Sequence, residues 1–67
     1  MVVIKWTNRY SKETGYVESV CSKEQHFCNT YDIEKAKRYS LNSAKGILTK
    51  LVKYGEADNN EFEFITV

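Results

Sequence analysis

Two cysteines and the single histidine are the residues best suited to metal chemistry. Cys21, His26 and Cys28 follow a C-x4-H-x-C spacing, which offers three potential zinc ligands. A structural zinc site usually takes four ligands in close pairs, and the sequence holds no fourth cysteine or histidine. Glu24 could complete the set only as an exceptional ligand. The favoured interpretation is that Cys28 fills a strand position and His26 is an ordinary edge or surface residue, with no metal bound.

Covalent catalysis by a cysteine is also disfavoured. A cysteine nucleophile needs a nearby base that a third group orients, and the chain offers one histidine for that role. A 67-residue domain has little volume for a ligand pocket of about 300 Å³ or more. Glu61 and Glu63 are typical of a solvated strand, and the three glycines are too isolated to form a phosphate-binding loop. We expect no enzymatic activity, no catalytic residues and no cofactor.

The charge of the chain is segregated along its sequence. Residues 35–53 contain six basic residues and no acid, whereas residues 54–67 contain four acids and no base. A formal net charge of +1 conceals this separation. Segregated charge creates a directional field, which is typical of binding surfaces. The residues predicted to contact a partner are Lys37, Arg38, Lys45, Gly46, Lys50 and Lys53.

Two interpretations of this basic face remain open. An amphipathic helix needs a polar face, and lysine is a good helix former, so the face could simply be solvated. Against this, the face lacks the glutamates that usually pair with lysines four residues away. Gly46 would also cost the helix about 1 kcal/mol relative to alanine. A glycine flanked by lysines would let a backbone or a phosphate group approach closely.

Three segments before residue 32 are predicted to be strands. Residues 1–7 alternate, with Val2, Ile4 and Trp6 on one face, which is the period of a half-buried strand. Residues 15–21 are rich in β-forming types, although neither face is purely apolar. The alternation places Val17, Ser19 and Cys21 opposite Tyr16, Glu18 and Val20. A turn at residues 22–25 leads to a third strand at residues 26–31.

The second half of the chain predicts a helix followed by a strand. Ser40 is a suitable N-cap, Gly55 stands where a left-handed cap would end the helix, and Asp32 can cap a shorter turn through Lys35. Residues 36–39 could continue that turn or run extended. The apolar residues of the helix occupy an arc of about 160°; they are Leu41, Ala44, Ile47, Leu48, Leu51, Val52 and Tyr54.

A last strand is predicted at residues 61–67, which gives the order β-β-β-α-β. This order predicts a single α+β domain over residues 1–67. We expect a small two-layer sandwich in which the helix, at about residues 41–54, lies across one face of an antiparallel or mixed sheet.

The composition indicates an ordinary globular chain. The apolar fraction is 42% and the charged fraction is 28%, both close to globular averages. The sequence shows no apolar run of about 20 residues and no secretory signal. We therefore expect a cytoplasmic protein without a membrane partner. Cys21 and Cys28 could pair across a hairpin, but reduced thiols are favoured, because two cysteines do not make a disulfide framework.

Two strings of the sequence look familiar together. They are WTNRYSKETGYV (residues 6–17) and DIEKAKRYSLNSAKGILTKL (residues 32–51). The whole chain resembles small uncharacterised accessory proteins of phages and prophages of Gram-positive bacteria. The second string is also similar to the strand-to-helix joint of the arm-binding domains of phage integrases. Because the present chain adds a strand after the helix and an acidic tail, DNA binding is not carried over from those domains.

The phage resemblance implies an accessory protein that blocks or modifies a component of the host, including a defence component, in the host cytoplasm. Our first hypothesis is a non-enzymatic binding protein whose basic helix face contacts a protein or a protein–nucleic-acid complex. The second is direct binding of nucleic acid by the same lysines, although the chain contains no helix-turn-helix, zinc finger or RNP motif. The third is homodimerisation through an open sheet edge.

Overall fold

A computed structural model describes all residues from Met1 to Val67. Four strands, one α-helix and two short 3₁₀ turns follow the predicted order. The strands are β1 (Val2–Asn8), β2 (Thr14–Cys21), β3 (His26–Thr30) and β4 (Asn60–Thr66); the helix α1 spans Leu41–Lys53, and the 3₁₀ turns span Ile33–Lys35 and Glu56–Asp58. The predicted α+β class and element order are confirmed. None of the helical segments has both the length and the apolar character needed to span a bilayer.

The four strands form one sheet with the order β3-β2-β1-β4. Every neighbouring pair is antiparallel, which resolves the choice between an antiparallel and a mixed sheet. The sheet is strongly curved. This is shown by Phe27 on one edge strand and Phe62 on the other, whose rings meet edge to face with 5.7 Å between their centres. The sheet therefore has a concave face, and the helix lies on that face.

The helix begins where the sequence predicts and ends one residue before the predicted position. The Ser40 hydroxyl accepts a hydrogen bond from the Ser43 amide at 3.3 Å. Gly55 adopts a left-handed conformation with φ of +83°, which glycine reaches at little cost. Ala44 and Leu51 are fully buried in one cluster with the β1 side chains of Val2, Ile4 and Trp6 and with Val17 and Tyr39. Val3 and Ala36 are buried outside this cluster. The fold is thus the predicted two-layer arrangement.

The buried stripe of the helix is narrower than the predicted arc. Leu41 is 51% exposed and Val52 is 57% exposed. Ile47 and Leu48 are half-buried. A single strongly curved sheet contacts only the central part of a cylindrical helix, so residues at the margins of the apolar arc stay in solvent.

The alternation predicted for β2 is wrong beyond Val17. A β-bulge between Val17 and Ser19 shifts the register against β3. A bulge inserts one residue and so reverses which face the following side chains occupy. As a result, Val20 packs against the core on the same side as Val17, together with Phe27 of β3. This explains why neither predicted face of β2 was purely apolar.

Residues 36–39, whose conformation the sequence left open, run extended. The Asp32 carboxylate caps the preceding turn by accepting from the Glu34 amide at 2.9 Å, as predicted. Tyr39 then exchanges two backbone hydrogen bonds with Val2, at 2.7 and 2.8 Å, and the Lys37 amide donates to the Val17 carbonyl at 3.3 Å. The segment therefore lies between the start of β1 and the part of β2 that the bulge bends away.

Candidate binding groove

The extended segment and the adjacent side of α1 enclose an open groove of about 650 Å³. Its walls are formed by Met1, Lys37, Arg38, Tyr39, Ser40, Ser43, Gly46, Ile47 and Lys50. No acidic residue lines it. We name this feature the basic groove. Its volume exceeds what the length of the chain suggested, because the groove is open to solvent and lies between two elements rather than inside the small core.

Four of the six predicted contact residues line the basic groove. Lys37 and Arg38 come from the extended segment, and Gly46 and Lys50 come from the helix. Lys45 and Lys53 lie outside it. At about 100° per residue, Lys45 points away from the side that carries Ile47 and Lys50. Lys53 lies nearly above Gly46, about 10 Å further along the helix axis.

The predicted basic residues are not neutralised by acids of their own fold. The structure contains three ion pairs, which join Lys5 to Glu63, Arg9 to Glu61, and His26 to Glu24. None involves a residue of the predicted basic face. One groove cation has an internal contact, since the Lys37 ammonium lies 5.6 Å from the centre of the Tyr39 ring. The groove thus presents positive charge that the domain itself does not satisfy.

Gly46 lies at a bare point of the helix surface. A Cβ atom added there would meet no heavy atom within 4 Å outside its own helical surroundings, and the residue is exposed. The fold itself therefore does not require glycine at this position. The opening is consistent with close approach of another molecule to the helix backbone.

Tyr39 forms the uncharged wall of the basic groove. Burial raises the pKa of its hydroxyl above the ordinary value of 10.0, so the ring stays neutral over the physiological range. Tyr39 is also part of the hydrophobic core, which fixes the extended segment against β1. The charge of the groove is consequently set by its lysines and Arg38.

Sequence reasoning missed several lining residues of the groove. Ser40 was interpreted only as a helix cap, and Met1, Tyr39, Ser43 and Ile47 were not among the predicted contact residues. A signal did exist, because Ser43, Gly46, Ile47 and Lys50 recur at intervals of three, four and seven residues, which places them on one side of a helix. What the sequence could not show is that residues 37–40 lie beside that same side.

The two cysteines and the histidine lie on the hairpin of β2 and β3, and their side chains do not converge on one point as metal ligands do. Cys21 faces His26 across the strands and Cys28 faces Ser19. Both cysteines are free thiols. No three histidine, cysteine or acidic side chains are arranged to hold a metal ion. His26 instead contacts Glu24, with 2.6 Å between Nε2 and the carboxylate.

The contact with Glu24 predicts a measurable titration of His26. The hydrogen bond to the Glu24 carboxylate, with a further bond to the Phe27 carbonyl, raises the pKa of His26 above 6.5. Because the pKa is higher in the folded state, this contact stabilises the fold below the unfolded-state pKa and loses its effect as pH rises through the folded-state value. NMR titration of the His26 ring should show the raised pKa.

A matched pair of variants checks the cause. Glu24→Gln should move the pKa of His26 back toward 6.5, whereas Glu34→Gln, a neutralised acid of the 3₁₀ turn that makes no side-chain contact with His26, should leave it raised. An unchanged His26 pKa in Glu24→Gln would show that the Glu24 contact does not form in solution.

Comparison with protein-family models, curated proteins and solved structures finds no match for this chain.

Proposed function

We propose that this protein is a non-enzymatic binding protein that occupies an acidic protein surface through the basic groove. The observation that carries the proposal is the set of unpaired cations Lys37, Arg38 and Lys50 around an open groove without acids. Charge of one sign lining a concavity focuses the field and attracts groups of opposite charge. Gly46 leaves the floor of the groove accessible to a partner's side chain or backbone.

A protein partner is favoured over single-stranded nucleic acid because the groove offers no exposed aromatic ring. Nonspecific single-strand binders combine cations with rings on which bases stack. Tyr39 is the aromatic residue of the groove, and it is only 7% exposed. The most exposed tyrosines, Tyr10 and Tyr31, do not line the groove. An acidic protein surface requires only the cations and the opening.

The resemblance to phage accessory proteins gives this proposal a setting. A phage-encoded protein of this kind would act in the cytoplasm of the bacterial host, where it would block a host protein, including one of a defence system. Occupying an acidic surface needs no catalytic residue and no cofactor. Lys45 and Lys53 would extend the contact beyond the groove if the partner covers the whole outer face of α1.

The proposal predicts that charge reversal in the groove abolishes partner binding. The partner is first captured from a lysate of a Gram-positive bacterium, identified and purified. Its affinity for the unmodified protein is then compared with that for Lys37→Glu/Lys50→Glu. We expect a loss of at least about 100-fold, since two attractive contacts become repulsive and each accounts for about 1.5–3 kcal/mol.

Two further double variants provide controls with the same change in net charge. Lys12→Glu/Lys23→Glu alters exposed lysines of the loops before and after β2 and should bind nearly as well as the unmodified protein. Lys45→Glu/Lys53→Glu separates the groove from the wider helix face and should cause a smaller loss. Equal losses in all three would attribute binding to net charge alone and contradict the groove proposal.

Binding of nucleic acid is tested with the same set of variants. Gel-shift titrations with generic duplex and single-stranded DNA and RNA are repeated over a range of salt concentrations. Under the proposal no complex forms at moderate salt. Affinity that falls steeply with salt and disappears in Lys37→Glu/Lys50→Glu would replace the protein partner with nucleic acid.

A further inference from the structure

A second cavity lies on the concave face of the sheet, beyond the C-terminal end of α1. It has a volume of about 310 Å³. Three aromatic residues from two strands and the loop after β3 line it, namely Trp6, Phe27 and Tyr31. Two carboxylates, Glu13 and Glu56, also line it, and no lysine or arginine does. We name this feature the acidic aromatic cavity. Its charge is opposite to that of the basic groove.

The cavity exists because the sheet curves while one of its central positions lacks a side chain. Gly15 lies opposite Trp6 in the β1–β2 register, so the Trp6 ring can lie down over it. The ring then meets Tyr31 edge to face, with 5.9 Å between ring centres. Gly55 turns the chain at the end of the helix, and Glu56 follows at the rim of the same space.

Both carboxylates retain capacity for a ligand. Glu13 accepts one hydrogen bond, from the Tyr31 hydroxyl at 3.0 Å through Oε1. This bond holds the Glu13 carboxylate against the Tyr31 ring and leaves its second oxygen, Oε2, free to accept. The Glu56 carboxylate takes part in no ion pair and no hydrogen bond within the fold. The Asn29 side chain on the cavity wall is likewise without a hydrogen-bonding partner in the domain.

We infer that the acidic aromatic cavity binds a guanidinium group. A guanidinium is planar and weakly hydrated, stacks on aromatic rings and donates in a fork to carboxylates. The cavity offers the exposed Tyr31 ring and the half-buried Phe27 ring beside the two acids. No lysine or arginine of the fold lines it, although the charge of Glu56 is near enough to help raise the pKa of His26. Its volume is at the lower limit for ligand sites, about 300 Å³, which is enough for an arginine-sized group, and its two carboxylates disfavour an anionic ligand such as a nucleotide. This site is independent of the basic groove.

Trp6 reports directly on occupancy, because it is the only tryptophan of the chain and lines the cavity. The probe is Nα-acetyl-arginine amide, titrated at constant ionic strength while Trp6 emission is recorded. Nα-acetyl-citrulline amide, which has the same shape without the charge, is the ligand control. We expect a saturable change with the arginine compound and none with the citrulline compound. Agmatine as a third probe distinguishes a free guanidinium metabolite from an arginine within a polypeptide.

The double variant Glu13→Gln/Glu56→Gln tests the two acids without altering their size. It should weaken binding of the arginine probe by at least about tenfold, and circular dichroism should confirm an unchanged fold. The matched control is Glu18→Gln/Glu34→Gln, in which two exposed acids outside the cavity are neutralised and affinity is retained. An absent response to the arginine probe, an equal response to citrulline, or full affinity in Glu13→Gln/Glu56→Gln would overturn the inference.

Discussion

Gly15→Ala is expected to lower the free energy of unfolding by about 3 kcal/mol, at the upper end of the usual cost of overpacking. A Cβ atom at residue 15 would lie 2.6 Å from Cζ2 of Trp6 and 2.9 Å from the Thr30 carbonyl oxygen. Neither can move away easily. Trp6 is 5% exposed and its indole donates to the Tyr16 carbonyl at 3.2 Å, while the Thr30 carbonyl belongs to β3.

Chemical denaturation followed by circular dichroism measures this effect without relying on the Trp6 environment. Gly46→Ala is the matched control, because the same methyl group enters open space there. That variant should gain about 1 kcal/mol from helix propensity alone. The two substitutions thus have opposite expected signs. A Gly15→Ala protein as stable as the unmodified one would mean that the Trp6 ring does not lie over residue 15.

Leu51→Ala is expected to cost about 2–5 kcal/mol, the range for truncating a buried leucine. Leu51 is fully buried and is the largest helix residue in the core cluster. A domain of 67 residues has only about 3–5 kcal/mol from its single core. The variant should therefore be largely unfolded at room temperature, with a collapsed near-ultraviolet circular dichroism signal.

The neighbouring residue supplies the control for this prediction. Val52 is 57% exposed, and Val52→Ala removes an apolar side chain that contributes little burial. Its stability should stay within about 0.5 kcal/mol of the unmodified protein. If both variants lost similar stability, the helix would be packed against the sheet by a different face from the one in the structure.

The parts of the fold predicted correctly from sequence depend on local interactions. The Ser40 cap, the apolar period and Gly55 lie within one short stretch of chain, and together they place the helix within one residue of its observed end. The alternation of Val2, Ile4 and Trp6 similarly predicts β1. In each case the residues that determine the structure are close in sequence.

The features that sequence reasoning missed depend on contacts between distant residues. The bulge in β2 depends on how that strand pairs with β3 after its pairing with β1 has ended. The alternation of apolar and polar residues along β2 carries no information about these partners. The extended path of residues 36–39 follows from backbone partners at Val2 and Val17. The acidic aromatic cavity joins residues from both edges of a curved sheet, and curvature is not visible in a list of residue types.

The basic groove is an intermediate case. Its cations were predicted as a group because their charge has no local compensation. The division of that group, with Lys37, Arg38 and Lys50 at the groove and Lys45 elsewhere, required the position of the extended segment relative to the helix. The sequence therefore predicted that this surface carries positive charge, and the tertiary structure determined the shape of the groove.

The first strand has a consequence for the timing of folding during synthesis. Val2 bonds to Tyr39 on one side and aligns with Thr66 on the other, so its neighbours are synthesised 37 and 64 residues after it. The ribosome must release the residues of β4 before β1 can complete its pairing. A nascent chain stalled before residue 60 should remain sensitive to protease even when its N-terminal hairpins have already emerged.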